Sequence, residues 1–120
     1  MHSVCEQHSF GRAAQNAGMS VNEIDELITF LASHPTAGDE IAGTGGCRKF
    51  RVAGRGKGKS GGYRIITFYS GQNMPVFLLT VFSKGEKANL SKDECNKLAL
   101  LTKAISAKYQ TRVVRVSGQR

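Results

Sequence analysis

The chain has 120 residues, 40% of them hydrophobic, with a formal net charge of +8. That length fits one domain with a core of its own, and the composition excludes the disordered class. No apolar run reaches the ~18 residues of a membrane span, and MHSVCEQHSF lacks the basic start and apolar stretch of a signal peptide, so a cytoplasmic protein without membrane contact is expected.

The charge is divided. Residues 1–46 carry one basic and six acidic groups, net −5, and residues 47–120 carry sixteen basic and three acidic, net +13. So one-sided a field attracts polyanions, nucleic acid above all. Cys5, Cys47 and Cys95 are odd in number, far apart and without a CxxC pair, which speaks against a zinc site or a redox motif. They read as small apolar side chains in a reducing compartment.

In chain order, residues 3–7 suit a short strand. Ser9 is placed to cap a helix over 10–17, with Phe10, Ala13, Ala14 and Ala17 at helical spacing and Gly18 just past its end. Ser20 and Glu23 form a capping box for a second helix, striped by Ile24, Leu27, Ile28 and Leu31 and ended at His34-Pro35. The two helices read as a hairpin. The small, polar run 36–46 reads as a loop.

Three strands follow. In 47–53, Phe50 and Val52 alternate with Lys49 and Arg51, which predicts an apolar face on the core and a basic face outside. The segment 63–69 (YRIITFY) is the second strand. The third, 76–82 (VFLLTVF), is so evenly apolar that it belongs at the centre, buried on both faces, with 71–75 as the hairpin loop between them. Ser91 and Glu94 form another capping box, opening a helix over 92–108. Its inner face carries Cys95, Leu98, Ala99, Thr102 and Ile105, and its outer face Lys92, Lys97, Lys103 and Lys108. The tail 111–116 (TRVVRV) is expected to add a last strand at a sheet edge. The fold class is α+β, an antiparallel sheet of three to five strands with an N-terminal helical hairpin and a C-terminal helix.

The glycine-rich run 53–62 tempts two misreadings. Gly58-Lys59-Ser60 ends like a phosphate-binding P-loop, but Ala53 stands where that motif needs glycine. Gly56, Gly58 and Gly61 satisfy GxGxxG, yet a strand follows them where the dinucleotide motif needs a helix. What remains is a loop with Arg55, Lys57 and Lys59 at alternate positions, able to bring backbone amides and cations against a phosphate chain. Arg64 follows on a strand, which fixes its guanidinium fork for a phosphate that gains charge during reaction. The turn 83–90 returns, in a hairpin, to the start of the second strand, so Lys84 and Lys87 can face the same phosphate and Glu86 can pair with one of them or act as a base. All three histidines, His2, His8 and His34, lie in the acidic half and read as structural or surface groups. Phosphate chemistry here would rest on Lys and Arg, which stabilise charge well but carry protons poorly unless a pKa is lowered.

Three segments together, CRKFRV at 47–52, GKGKSGGYR at 56–64 and VFSKGEKANL at 81–90, resemble the RelE superfamily of bacterial toxins, with GKSGGYR and K-x-E-K-A-N-L most similar to its HigB-type branch. The likeness spans roughly residues 10–105. It implies a ribosome-dependent messenger-RNA endonuclease (an mRNA interferase) that uses no metal and no cofactor. It also implies an antitoxin partner, in HigA-type systems often a helix-turn-helix protein. By position, it implies that Arg64 stabilises the transition state with Lys59, Lys84 and Lys87 as further catalytic cations, and that Lys49 and Arg51, with Arg55 and Lys57, bind RNA. Two positions depart from the RelE pattern. Gly85 follows Lys84 where many members have arginine, and Ser91 stands where some have tyrosine. Two other readings stay open. A toxin of the same superfold, such as the ParE branch, poisons DNA gyrase without cutting RNA. A basic RNA- or ribosome-binding module has no catalysis. Convergent phosphate ligands weigh against the first, and the lack of a legible aromatic stacking platform against the second.

Overall fold

A computed structural model describes residues 2–54, 62–71, 73–85 and 89–118, the last nine of them as backbone alone. The elements, in order, are β1 (Val4–Glu6), α1 (Phe10–Ala17), α2 (Val21–Ser33), β2 (Asp39–Glu40), β3 (Cys47–Ala53), β4 (Gly62–Phe68), β5 (Val76–Ser83) and α3 (Lys92–Gly118). The strands form one sheet in the order β1-β5-β4-β3-β2.

The capping boxes close as the spacing predicts. The Ser20 amide donates to Glu23 Oε1 at 2.8 Å and the Glu23 amide to Ser20 Oγ at 3.1 Å, and Ser91 and Glu94 repeat the pair at 2.8 and 3.1 Å. Gly18 ends α1 at φ 87°, the left-handed conformation that glycine adopts without penalty. Ser9, by contrast, makes no side-chain cap, because its backbone is already helical (φ −89°, ψ −4°) and cannot aim the hydroxyl back at the first turn.

Helices cover both faces of the sheet. On one face the α1–α2 hairpin packs Phe10, Ala14, Leu27 and Leu31 against Tyr63, Ile65, Val76 and Leu78. On the other, Leu98 and Ile105 of α3 lie on Cys47, Ile66, Phe68, Phe77, Leu79 and Phe82. β5 is central and buried on both faces, as its composition demands. A register shift at Ile66/Thr67 pairs Thr67 with Leu78 and Ile66 with Thr80, leaving Leu79 as an extra residue in β5. This bulge reverses the alternation: Leu78 and Val81 share the hairpin face, and Leu79 and Phe82 the α3 face.

Four expectations are corrected. The sheet is mixed, because β1 runs parallel to β5 from Val4↔Val76 to Glu6↔Leu78. The loop 36–46 contains the two-residue strand β2, antiparallel to β3 with Asp39 opposite Lys49. Residues 111–116 add no strand: α3 continues through Gly118. No glycine or proline interrupts 92–117, so extending the helix adds a hydrogen bond per residue, whereas a new strand needs a turn first. Lastly, the basic face of β3 does not look straight into solvent. Lys49 shares the face on which α3 packs, and it is half-buried there.

A cationic cleft between the sheet and α3

Alternation decides which side chains meet. With Phe50 and Val52 packed toward the hairpin, Lys49 and Arg51 take the α3 face; with Tyr63 and Ile65 toward the hairpin, so does Arg64. The β3–β4 register sets Arg51 directly opposite Arg64 and Lys49 opposite Ile66. The cations therefore sit on neighbouring strands at the spacing of a cross-strand pair, about 5 Å between Cβ atoms. A small cavity of about 80 Å³ opens there. Lys49, Arg64 and Ile66 form its floor, Phe82 one side, and Asn89, Leu90 and Cys95 the wall at the start of α3.

Among the described residues, none of Lys49, Arg51 and Arg64 has a carboxylate within ion-pair distance. The Arg64 Nε is buried and meets no acceptor. Like charges held side by side without counter-charge destabilise a fold, and a buried donor without acceptor adds to that. Such an arrangement suits an incoming anion. Among the described residues no three His, Cys, Asp or Glu side chains gather, so the groups lining the cleft are cations and an amide.

The surroundings fix this face. Tyr63, 1% exposed, directs its hydroxyl toward the Gly18 carbonyl and Glu23 Oε1, both at 3.1 Å, and so ties the first turn of α2 to the residue before Arg64. Burial, then the bond and the charge of Glu23, push the Tyr63 hydroxyl above its ordinary pKa. Behind the cleft, Thr44 accepts from the Cys47 amide at 3.1 Å and donates to the Ile41 carbonyl, and Thr102 of α3 donates to the Thr44 carbonyl at 2.9 Å. The Cys47 thiol, buried in this network, is pushed up to about 11 by desolvation, against a lowering bond to Thr44 and with a further rise from Cys95. On the opposite face Arg48 donates to the carbonyls of Thr36 and Gly38 at 3.2 and 3.1 Å, a loop clamp with no part in the cleft.

Of the residues singled out in the sequence, Lys49, Arg51 and Arg64 come together. Lys84 is exposed just beyond β5, and its amide donates to the Gly62 carbonyl at 3.0 Å, which returns the strand end to the start of β4 as a hairpin requires. Arg55, Lys57, Lys59, Glu86 and Lys87 lie outside the described residues. Of the histidines, His2 bonds the Tyr69 hydroxyl at 2.8 Å, His34 stacks on Phe30, and His8 is exposed. Asn89 and Cys95 line the cleft without having been marked for it. The signal for Asn89 is its place two residues before the Ser91 cap, where the chain must cross the sheet to begin α3.

A mixed five-stranded sheet, a helical hairpin on one face and a cationic cleft under a third helix on the other define a small α+β protein built to meet a polyanion. The family model for the RelE toxin of the RelE/RelB toxin–antitoxin system matches residues 3–119, nearly the whole chain. The chain belongs to that family: it is a toxin of a toxin–antitoxin system, and its partner is a cognate antitoxin. No helix among the described residues is long and apolar enough to cross a membrane.

Proposed function

We propose that this toxin is a cytoplasmic endoribonuclease that cuts messenger RNA on the ribosome, with the Lys49–Arg51–Arg64 cleft as its phosphate site. The observation that carries this reading is the cross-strand Arg51–Arg64 pair, left without a carboxylate beside a buried, unpartnered Nε. A phosphodiester passing through a pentacoordinate state gains charge on its equatorial oxygens, and donors already aimed there stabilise it without reorganising. In the reaction, the 2′ oxygen bonds to the adjacent phosphorus as its proton leaves. The bond from phosphorus to the 5′ oxygen breaks, and that oxygen takes up a proton. The products are a 2′,3′-cyclic phosphate and a 5′-hydroxyl. Arg64, fixed on a central strand, serves the transition state, with Lys59, Lys84 and Lys87 as the further catalytic cations. Lys49, Arg51, Arg55 and Lys57 hold the backbone on either side. No metal or cofactor is needed for these roles. The likeness of 57–64 and 84–90 to the HigB-type branch supports a HigA-like, helix-turn-helix antitoxin.

The test is induced expression of the wild type and of Arg64→Ala in a bacterium, with 5′ ends mapped on a translated transcript. Cuts inside translated codons, absent with the variant and blocked when initiation is prevented, are the expected result. Growth arrest with intact transcripts refutes the nuclease reading and favours a gyrase target.

A further inference from the structure

The free edge of β3 carries an inference that needs only the toxin–antitoxin membership and not RNA cleavage. β2 covers this edge at Arg48 and Lys49 alone. The bonding parity is fixed at several points. The Ile41 amide donates to the Cys47 carbonyl at 2.9 Å. A Cβ on Gly38 would overlap the Lys49 carbonyl, so that carbonyl faces β2. A Cβ on Gly62 would lie 3.3 Å from the Val52 carbonyl, so that one faces β4. Odd-numbered residues of β3 thus turn their backbone groups outward. The N–H and C=O of Arg51 and of Ala53 point away from the sheet, and no described strand pairs with them.

Beside this edge, toward the hairpin, lies a groove of about 320 Å³. Its helical wall is the stripe Glu23, Glu26, Leu27 and Phe30, one face of α2 at i, i+3, i+4 and i+7, and Phe50 and Val52 supply its floor. Phe30 is 42% exposed, an unusual state for a phenylalanine that also touches Phe50. On the other side of the same edge stand the cations Lys49 and Arg51. The two sides ask for different residues, and a strand presents different residues to its two sides.

We propose that the outer edge of β3 takes up, by strand addition, an extended segment of the antitoxin in which apolar and acidic residues alternate. The apolar side chains enter the groove between α2 and β3, and the acidic ones lie over Lys49 and Arg51. The chain contains a precedent for the charge code: its own β2, Asp39-Glu40, pairs with this edge and sets Asp39 opposite Lys49 and Glu40 opposite Arg48. The added strand continues that pattern where β2 stops. Its main-chain bonds to Arg51 and Ala53 supply affinity, and the two faces supply selectivity. Because Arg51 is paired across β4 with Arg64, the docked segment neutralises one wall of the cationic cleft as it binds.

The experiment is amide hydrogen exchange on the toxin, free and in complex with the antitoxin encoded beside it. Slowing of the Arg51 and Ala53 amides by at least about tenfold in the complex is expected. Two variants accompany it: Phe30→Asp, which sets a charge at the mouth of the groove, and Ala53→Pro, which removes an outward N–H. Each is expected to weaken antitoxin binding by at least about tenfold, measured directly and without RNA, while induced expression without antitoxin still arrests growth. Unchanged exchange at Arg51 and Ala53 overturns the proposal, whether or not the variants fold. So does protection confined to the opposite open edge at Thr80–Phe82, where α1 and α3 flank a second groove of about 330 Å³, or wild-type affinity in both variants.

Discussion

Removing one oxygen atom, by Tyr63→Phe, tests how the cleft is held. The ring is 1% exposed and stays in place, so the packing against Leu27 and Ile65 is kept. What goes is the hydroxyl that faces the Gly18 carbonyl and Glu23 Oε1, each at 3.1 Å. Glu23 is itself 9% exposed, and a hydrogen bond to a buried charged acceptor is worth about 1.5–3 kcal/mol. The Ser20 amide still serves the same oxygen at 2.8 Å, which places the loss near the middle of that range, about 2 kcal/mol. With an unfolding entropy of about 2.1 cal/mol/K per residue, that lowers Tm by roughly 8 °C. Thermal unfolding followed by circular dichroism measures it. The alkaline limb provides a second sign. The hydroxyl is held above its ordinary 10 when folded, so its contribution is complete below pH 10 and is lost as pH rises above that and through the folded value. The variant should therefore lose stability less steeply than the wild type above pH 10. A Tm within about 2 °C of wild type, with parallel alkaline limbs, refutes the latch.

Three further outcomes are expected. Gly38→Ala drives a Cβ into the Lys49 carbonyl at φ 95°, where alanine is already strained, and should lower stability by at least about 2 kcal/mol in denaturant titration. Thr102→Val removes the bond to the Thr44 carbonyl that pins the 41–47 loop to α3, with an expected loss of about 1–2 kcal/mol by the same measurement. The Cys47 thiol, buried and raised to about 11, should resist iodoacetamide at pH 8 until the protein unfolds, whereas exposed Cys5 reacts at once; peptide mass mapping distinguishes them.

Much of this was legible in the chain because the determinants are local. Ser-x-x-Glu appears twice and caps two helices; the run VFLLTVF admits no exposed face; Phe50 and Val52 alternate with Lys49 and Arg51. The failures come where neighbours decide. Whether 4–6 joins β5 parallel or antiparallel depends on where the hairpin delivers the chain, not on VCE. The bulge at Leu79 inverts the faces of the last half of β5, so the period of two that works for β3 misplaces Phe82. The sequence could mark Lys49, Arg51 and Arg64 as cations, but only the register sets Arg51 opposite Arg64. The resting place of α3, with Asn89 and Cys95 over them, depends on tertiary packing.

That register places stability and function in opposition on a single strand. Tyr63 and Ile65 look toward the hairpin and hold the fold, while Arg64 between them faces a like charge with its Nε unpaired. Arg64→Met separates the two effects. It keeps an unbranched stem on Ile66 and Phe82 and removes the charge. Relief of the Arg51 repulsion contributes about 0.2–1 kcal/mol, and relief of the buried donor about 1 kcal/mol or more. Arg64→Met should thus raise Tm by roughly 4–8 °C, and the gain should shrink as salt screens the wild-type repulsion. Cleavage, on the reading proposed above, should fall by ~100-fold or more. A fall in Tm would mean that Arg64 is a structural arginine satisfied by its surroundings, and the case for an anion site at this cleft would go with it.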